Sequence, residues 1–197
     1  MNFLAHLLLS GDEDEVIIGN FIGDYVKGHD LSKYNEKVRK GIILHRNIDW
    51  FTDNHPIVWE NKKLFQKFYR KYSGIIIDII YDHFLILNWK LFTSVPFYIF
   101  VDNINAIIRN NFDLLPVELE GIYISFIKNK WLLRYETLDG IEVVFNKMSQ
   151  ITSLPYHTKF AIDVIKENYD TLNQSFINFF PQIEKFVEKK FNIKIKK

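Results

Sequence analysis

The sequence predicts an all-α protein, folded as a single compact multi-helix domain over residues 1–197. Apolar residues recur every three or four positions through most of the chain, whereas the strict alternation typical of strands is hard to find. Short runs of Gly, Pro, Asn, Asp and Ser separate these segments, as at residues 28–32, 54–56 and 94–96. Because no linker, repeat or low-complexity tract interrupts the pattern, we expect no second domain.

The composition limits the chemistry that the protein can use. A hydrophobic fraction of 48% over 197 residues is enough to close a core without disulfides. The chain has no cysteine, which excludes disulfide frameworks, thiolate nucleophiles and cysteine-bound zinc. Any bound metal must therefore use oxygen and imidazole ligands.

Charge and hydropathy limit the partners and the compartment expected for the chain. A net charge of +1, from 25 basic and 24 acidic residues, favours neither a nucleic acid nor a strongly acidic partner. The apolar residues 1–10 follow no basic segment, so they are unlike a secretory signal and we expect cytoplasmic residence. The longest apolar stretch, residues 74–87, contains charged side chains and is too short to span a membrane.

Basic side chains cluster in residues 61–72. Within this segment Lys63, Lys67 and Lys71 are spaced four residues apart, which predicts that they share one face of a helix. By itself this pattern is typical of a solvated helix surface.

A very apolar helix is predicted near residues 73–91, and it contains Asp78, Asp82 and His83. Asp78 and Asp82 are one turn apart and so lie on the same face. A buried, ionised carboxylate needs a partner, because its desolvation is costly. Salt bridges to Arg or Lys are one solution, and a divalent cation shared by both carboxylates and the imidazole is a more economical one.

A second cluster falls in residues 41–53, where His45, Asp49 and Asp53 are spaced four apart along one side of a helix. A His and an Asp one turn apart can share a metal, or the Asp can orient the His. An ordinary surface pair is the alternative. Arg46 carries a fixed fork of donors that suits a phosphate oxygen, although it could equally form a salt bridge.

The third cluster consists of His6, in an apolar first helix, and Asp24, whose apolar neighbours predict a site with little water. A lone His in such a helix can also be a satisfied core residue. Gly19 and Gly23 permit close approach of another helix or of a ligand. Histidines and acids from separate apolar helices converge when the helices pack, and a mixed nitrogen and oxygen ligand set suits Mn²⁺, Mg²⁺ or Fe²⁺ better than structural zinc.

Four ordered blocks resemble the acyl-carrier-protein phosphodiesterase family. They are residues 1–6, which end in His6; 19–28, which contain Asp24; 45–54, which open with His45-Arg46; and 78–85, from Asp78 to Leu85. Residues 131–135 and the region of Met148 are also similar. The resemblance implies a helical fold related to the HD phosphohydrolase superfamily. It further implies Mn²⁺-dependent hydrolysis of the phosphodiester that joins 4′-phosphopantetheine to a serine of acyl carrier protein.

The resemblance also implies roles for individual residues. The inherited metal-binding and catalytic positions are His6, Asp24, His45, Asp49, Asp78, Asp82 and His83. We expect the cation to lie between His45, Asp82 and His83, together with Asp24. Asp49, Asp78, Asp24 or His6 would then accept the proton of the attacking water.

Contacts with the substrate are predicted outside this set. Arg46 would hold phosphate oxygens, and Lys63, Lys67 and Lys71 would dock the acidic carrier protein. Asn47 stands where the family often has a second basic residue, and Lys27 stands where an Arg is common. These two departures predict weaker or different contacts with the phosphate or the carrier protein. The oligomeric state is not predicted.

Two other functions fit the same residues. A metal-dependent phosphohydrolase of a nucleotide or another small phosphodiester is one, because the ligand set does not choose the leaving group. The other is a non-catalytic helical binding protein, in which the buried polar residues are structural or hold a small phosphorylated metabolite.

Overall fold

The structure, a computed structural model, describes residues 2–119 and 130–196. Within those ranges the regular elements are all helices and none is a strand, which confirms the predicted all-α class. The α-helices are α1 (Phe3–Leu8), α2 (Asp14–Phe21), α3 (Glu36–Asp53), α4 (Pro56–Lys63), α5 (Gln66–Tyr69), α6 (Ser73–Leu87), α7 (Trp89–Phe92), α8 (Phe97–Asn110), α9 (Leu138–Ile151), α10 (Thr158–Glu167) and α11 (Tyr169–Phe191). Short 3-10 helices cover Gly23–Tyr25, Arg70–Tyr72, Phe112–Leu114 and Trp131–Glu136.

Helices α2 and α3 cross with their backbones in direct contact. A Cβ atom added to Gly19 would lie 2.1 Å from the carbonyl oxygen of Val38, and one added to Gly41 would lie 2.2 Å from that of Val16. Only glycine fits at such separations. The close approach predicted at Gly19 is therefore a helix–helix contact, and it brings the end of α2 beside the middle of α3.

Helix α3 is the longest element of the first half of the chain. The side chain of Asn35 caps it by accepting a hydrogen bond from the backbone N–H of Val38 at 3.0 Å. As the spacing predicted, His45, Asp49 and Asp53 all lie on this one helix.

Helix α6 is rich in β-branched and aromatic residues and is held by packing rather than by intrinsic propensity. Most of its side chains are buried, and the ring of Tyr81 packs against Phe176 and Phe179 of α11. This burial fixes the rotation of the helix about its own axis. Asp78 and Asp82 therefore each face a defined and different part of the protein.

The basic segment does not form the continuous helical face that the spacing predicted. Lys63 is the last residue of α4, Lys67 lies in α5, and Lys71 lies in the following 3-10 helix. Between the last two, Arg70 has a φ of 47°, which a continuous right-handed helix does not allow. The three lysines are exposed but belong to three short elements.

A search of the described helices for one both long and apolar enough to cross a bilayer found none.

Candidate active site

Two buried histidines stack on each other where α1, α2 and α3 meet. The ring centroids of His6 and His45 are 4.1 Å apart and the ring planes differ by 19°. Both side chains are almost fully buried, with exposed fractions of 5% and 7%. This contact brings His6 together with the His45 cluster.

Asn20, at the end of α2, contacts both rings on one side. Its side-chain oxygen lies 2.9 Å from Nδ1 of His6 and 3.1 Å from Nδ1 of His45. Nδ1 of His45 is also 2.8 Å from the backbone oxygen of Asn20. Since a backbone carbonyl can only accept, Nδ1 of His45 carries the proton in this contact.

Carboxylates face the same rings on the other side. Asp49 spans both histidines, with Oδ1 3.0 Å from Nε2 of His6 and Oδ2 3.2 Å from Nε2 of His45. Oδ1 of Asp24 is also 3.2 Å from Nε2 of His45. The potential ligand atoms of His6, His45 and Asp49 all lie within 4.8 Å of one another. These three residues, with Asp24 beside them, could hold a metal ion.

Asp24 reaches the group from the 3-10 helix Gly23–Tyr25. Its side chain is 66% exposed, so the expectation that it sits where water is scarce is wrong. The turn of the chain at Gly23 carries the carboxylate out of the core while Gly23 itself packs on His45. A Cβ atom at position 23 would lie 2.3 Å from Cγ of that ring.

An acidic cleft of about 370 Å³ opens beside the group. The residues that line it are Asn2, Asp24, Asp49, Asp53, Ile75, Asp78, Ile79 and Met148. A smaller cavity of about 20 Å³ shares Asn2 and Asp24 with it and is also lined by His6 and His45. Asp24, Asp49 and Asp78 thus come together at one opening, as do Asp53 and Met148.

The charges of the group are strongly coupled. Burial opposes a charge on His45, but its hydrogen bonds to Asp24 and Asp49 outweigh this and raise the pKa of the imidazole to about 9. Burial, together with the neighbouring His45, lowers the pKa of His6 to about 4. Burial works against ionised Asp49, yet its two histidine partners hold the pKa of this carboxyl far below its usual value. In contrast, burial raises the pKa of Asp78.

Asp82, predicted as a metal ligand, caps α1 instead of joining this group. Its two oxygens accept hydrogen bonds from the backbone N–H groups of Leu4, at 2.9 Å, and Ala5, at 3.1 Å. These donors belong to the first turn of a helix and have no partner within that helix. Burial raises the pKa of Asp82 to about 7, while the two backbone hydrogen bonds act in the opposite direction.

His83 is also engaged elsewhere. Its Nδ1–H donates to the backbone oxygen of Tyr135 at 2.7 Å, and the hydroxyl of Tyr169 donates to Nε2 at 2.6 Å. Neither Asp82 nor His83 belongs to the group of clustered ligand atoms found among the described residues. Both carry the partners that a buried polar residue needs without a metal.

Arg46, predicted to bind phosphate, holds a loop. One nitrogen of its guanidinium donates to the backbone oxygens of Val26, at 3.0 Å, and Gly28, at 2.8 Å. Arg46 thereby anchors the segment that follows Asp24.

Sequence reasoning gave no role to Asn20. It is fully buried, and its side-chain nitrogen donates to the backbone oxygen of His6 and to Oγ of Ser10, each at 2.8 Å. An asparagine inside the apolar run 16–22 was the available signal, because a buried amide requires partners.

The helices place two buried histidines beside an open cleft that several carboxylates line. This arrangement is typical of the active site of a helical hydrolase. The chain belongs to the acyl carrier protein phosphodiesterase family, whose family model matches residues 1–183. The predicted family, and with it the prediction of an enzyme, are confirmed.

Curated relatives agree with this assignment. An acyl carrier protein phosphodiesterase of Photorhabdus laumondii is 32% identical over 191 residues, which cover 96% of either chain. One from Yersinia enterocolitica is 31% identical over 92% of this chain and 94% of its own. One from Pectobacterium atrosepticum is 29% identical over 93% and 95%.

No solved structure matches the chain. The relation to the HD phosphohydrolase fold stays a prediction.

Proposed function

We propose that this protein is a metal-dependent phosphodiesterase that releases 4′-phosphopantetheine from holo acyl carrier protein. The observation that carries the metal requirement is the set of oxygens around the two stacked histidines. Each of the four ring nitrogens faces an acceptor oxygen: Asn20 on the Nδ1 side, and Asp49 or Asp24 on the Nε2 side.

With His45 charged, as its raised pKa allows, and His6 neutral, the two rings have three N–H groups for these four contacts. Protonating both rings would supply the missing donor, but it would place two positive charges 4.1 Å apart. A cation on the Nε2 side satisfies both nitrogens and the facing carboxylates at once. The Nε2 atoms and carboxylate oxygens lie 3.0–3.2 Å apart, so these side chains are close enough to share one ion.

The charge of the cleft also supports a bound cation. Four carboxylates line it, from Asp24, Asp49, Asp53 and Asp78. Lys62 pairs with Asp53 from outside, and the described lining itself contains no Lys or Arg. A phosphodiester carries a negative charge and would be repelled by such a surface. A divalent ion at the histidine–carboxylate group would supply the attraction that the side chains lack.

In this proposal His6, His45, Asp49 and Asp24 hold the ion, for which Mn²⁺ is the first candidate and Mg²⁺ or Fe²⁺ the next. When bound, it neutralises the diester and lowers the pKa of the attacking water. Asp78, in the same cleft, accepts the proton of that water. Burial raises the pKa of this carboxyl, which makes it a stronger base than an ordinary aspartate.

The relatives' name supports acyl carrier protein as the substrate, and the basic segment offers a surface to dock it. Lys63 lies 3.8 Å from the centre of the Trp59 ring, which is 53% exposed. Next to it, Lys62 forms an ion pair of 2.7 Å with Asp53 at the cleft. The basic segment therefore adjoins the opening at Lys62 and Lys63, where an acidic carrier protein would present its prosthetic group.

The direct test incubates the purified protein with holo carrier protein and Mn²⁺, with and without a chelator, and measures the product masses. We expect the carrier to lose the mass of 4′-phosphopantetheine, and the chelator to prevent it. Asp49→Asn should reduce the rate by at least about 10²-fold, whereas Asp163→Asn, which removes an exposed carboxylate paired with Lys159, should leave it unchanged. Hydrolysis of small diesters without action on the carrier would overturn the substrate assignment.

The docking surface has its own test. Reversing Lys63, Lys67 and Lys71 together to Glu should raise KM for the carrier steeply at low salt and leave kcat nearly unchanged, because rim charges act mainly on encounter. A matched reversal of the exposed Lys147, Lys159 and Lys166 controls for net charge. Equal KM values for the two triple variants would remove this surface from the proposal.

A further inference from the structure

We propose that Asn20 is a positioning residue that presents Nε2 of both His6 and His45 to the cation. This rests on the metal site of the proposed function. The side-chain oxygen of Asn20 accepts Nδ1–H of His6 at 2.9 Å and Nδ1–H of His45 at 3.1 Å. One buried amide therefore holds the proton of two rings on the side away from the carboxylates.

The orientation of the amide is fixed by its own donors. Its nitrogen donates to the backbone oxygen of His6, which can only accept, so the side-chain oxygen must be the atom that faces the rings. The second amide proton goes to Oγ of Ser10, whose hydroxyl in turn donates to the same oxygen of His6. A flipped amide would set its nitrogen against two Nδ1–H groups and its oxygen against a carbonyl.

The consequence concerns which nitrogen of each ring has a free lone pair. With Nδ1 protonated, the lone pair of each imidazole is on Nε2, on the side of Asp49. Without the Asn20 oxygen, His6 loses this acceptor of its Nδ1–H, whereas His45 retains the backbone oxygen of Asn20. We therefore expect His6 to depend on this side chain more than His45. Residues that fix a ligand histidine in this way typically change metal affinity about 10- to 100-fold.

The experiment compares three variants with the wild type. Asn20→Leu removes the acceptor at similar volume, and Asn20→Ala replaces it if the leucine variant does not fold. Asn20→Asp restores an oxygen towards both Nδ1 atoms and should recover most of the affinity. Ser10→Ala breaks the hydrogen bonds on the far side of the amide but leaves the ring contacts, so it controls for a loss of stability.

Two quantities are measured on each folded protein. The first is the dissociation constant of Mn²⁺ without substrate, which should rise about 10- to 100-fold in Asn20→Leu and stay near the wild-type value in Ser10→Ala. The second is the ¹⁵N spectrum of the histidine side chains, recorded metal-free and with diamagnetic Zn²⁺. The wild type should show Nδ1–H for His6, and Asn20→Leu should show loss of this preference.

The outcomes separate this inference from the proposed function. If the wild type binds Mn²⁺ and Asn20→Leu binds it equally well, the role of Asn20 is refuted while the metal site stands. If the wild type binds no divalent cation, the metal site fails, and the metal-free spectra still decide whether Asn20 fixes the His6 proton. An unchanged Nδ1–H signal in Asn20→Leu would overturn the inference in either case.

Discussion

Asp49 is the residue that joins the two halves of the site, because each of its oxygens faces a different histidine. Its helix, α3, also carries His45 one turn earlier. His6 comes from α1, so this carboxylate links residues that are far apart in the chain. The contact explains why Asp49 remains ionised well below the usual pKa of an aspartate.

Gly23 is a second residue on which the site depends, for a steric reason. A methyl group there would lie 2.3 Å from Cγ of His45, so Gly23→Ala must displace the ring or the turn. We expect Mn²⁺ affinity to fall at least about tenfold and stability to fall by about 1–3 kcal/mol. Titration calorimetry and urea unfolding would measure the two effects.

Gly74→Ala is the matched control for that substitution. The Cβ atom of this helical residue would lie 3.3 Å from the flexible end of Lys62, and alanine favours helix. We expect it to preserve both metal affinity and stability. If Gly23→Ala behaves in the same way, the packing of Gly23 on His45 is not what positions the ring.

At the scale of elements, the short helix α1 is held in place from outside. It has six residues, and no side chain of its own caps its amino end. Asp82 of α6 supplies that cap through both carboxylate oxygens. Since His6 lies within α1, Asp82 contributes to the site by fixing the helix that carries this histidine.

Asp82→Asn should therefore destabilise the fold. The amide keeps one acceptor, so one buried N–H of α1 loses its partner, at a cost of about 1–3 kcal/mol. Urea unfolding with a chelator present would measure this loss. A large drop in Mn²⁺ affinity with unchanged stability would instead support the role of metal ligand that the sequence predicted for Asp82.

At the scale of the whole molecule, the hydrogen bonds of His83 link helix α6 to the 3-10 helix Trp131–Glu136 and to α11. Burial lowers the pKa of this imidazole below its unfolded value of 6.5. For a lowered histidine pKa, the stabilising contribution is complete above pH 6.5 and is lost as the pH falls from there towards the folded pKa.

In the metal-free protein we expect His6 and His83 to reduce stability as the pH falls below 6.5, because burial keeps both neutral, whereas Asp78 and Asp82, whose pKa burial raises, act in the opposite direction. His83→Gln isolates one of these groups: it should lower stability at pH 7.5, and its difference from the wild type should shrink between pH 6.5 and 5. Urea midpoints at several pH values would test this. An identical pH slope in wild type and variant would show that His83 does not titrate on unfolding.

The helical class, α3 with its aligned His45 and Asp49, and the apolar α1 and α6 were all predictable, because they follow from local periodicity. So was the convergence of Asp24, Asp49 and Asp78, which the family resemblance implied and the cleft brings together. The break in the basic segment was not predictable. It occurs at Arg70, which has a φ of 47°, and a glycine that would signal such a conformation is absent at this position. Asn20 was missed because a single amide has no characteristic spacing.

The sequence alone determined the helices, the absence of thiol chemistry and the family, because composition, period and ordered motifs are properties of the chain itself. Only the tertiary structure decided that His6 joins His45 and Asp49 while Asp82 caps a helix and His83 binds two tyrosines. Asp78 and Asp82 are one turn apart on α6, yet they meet different elements. Which partner a buried polar group finds depends on how helices distant in sequence pack, and local pattern does not encode that.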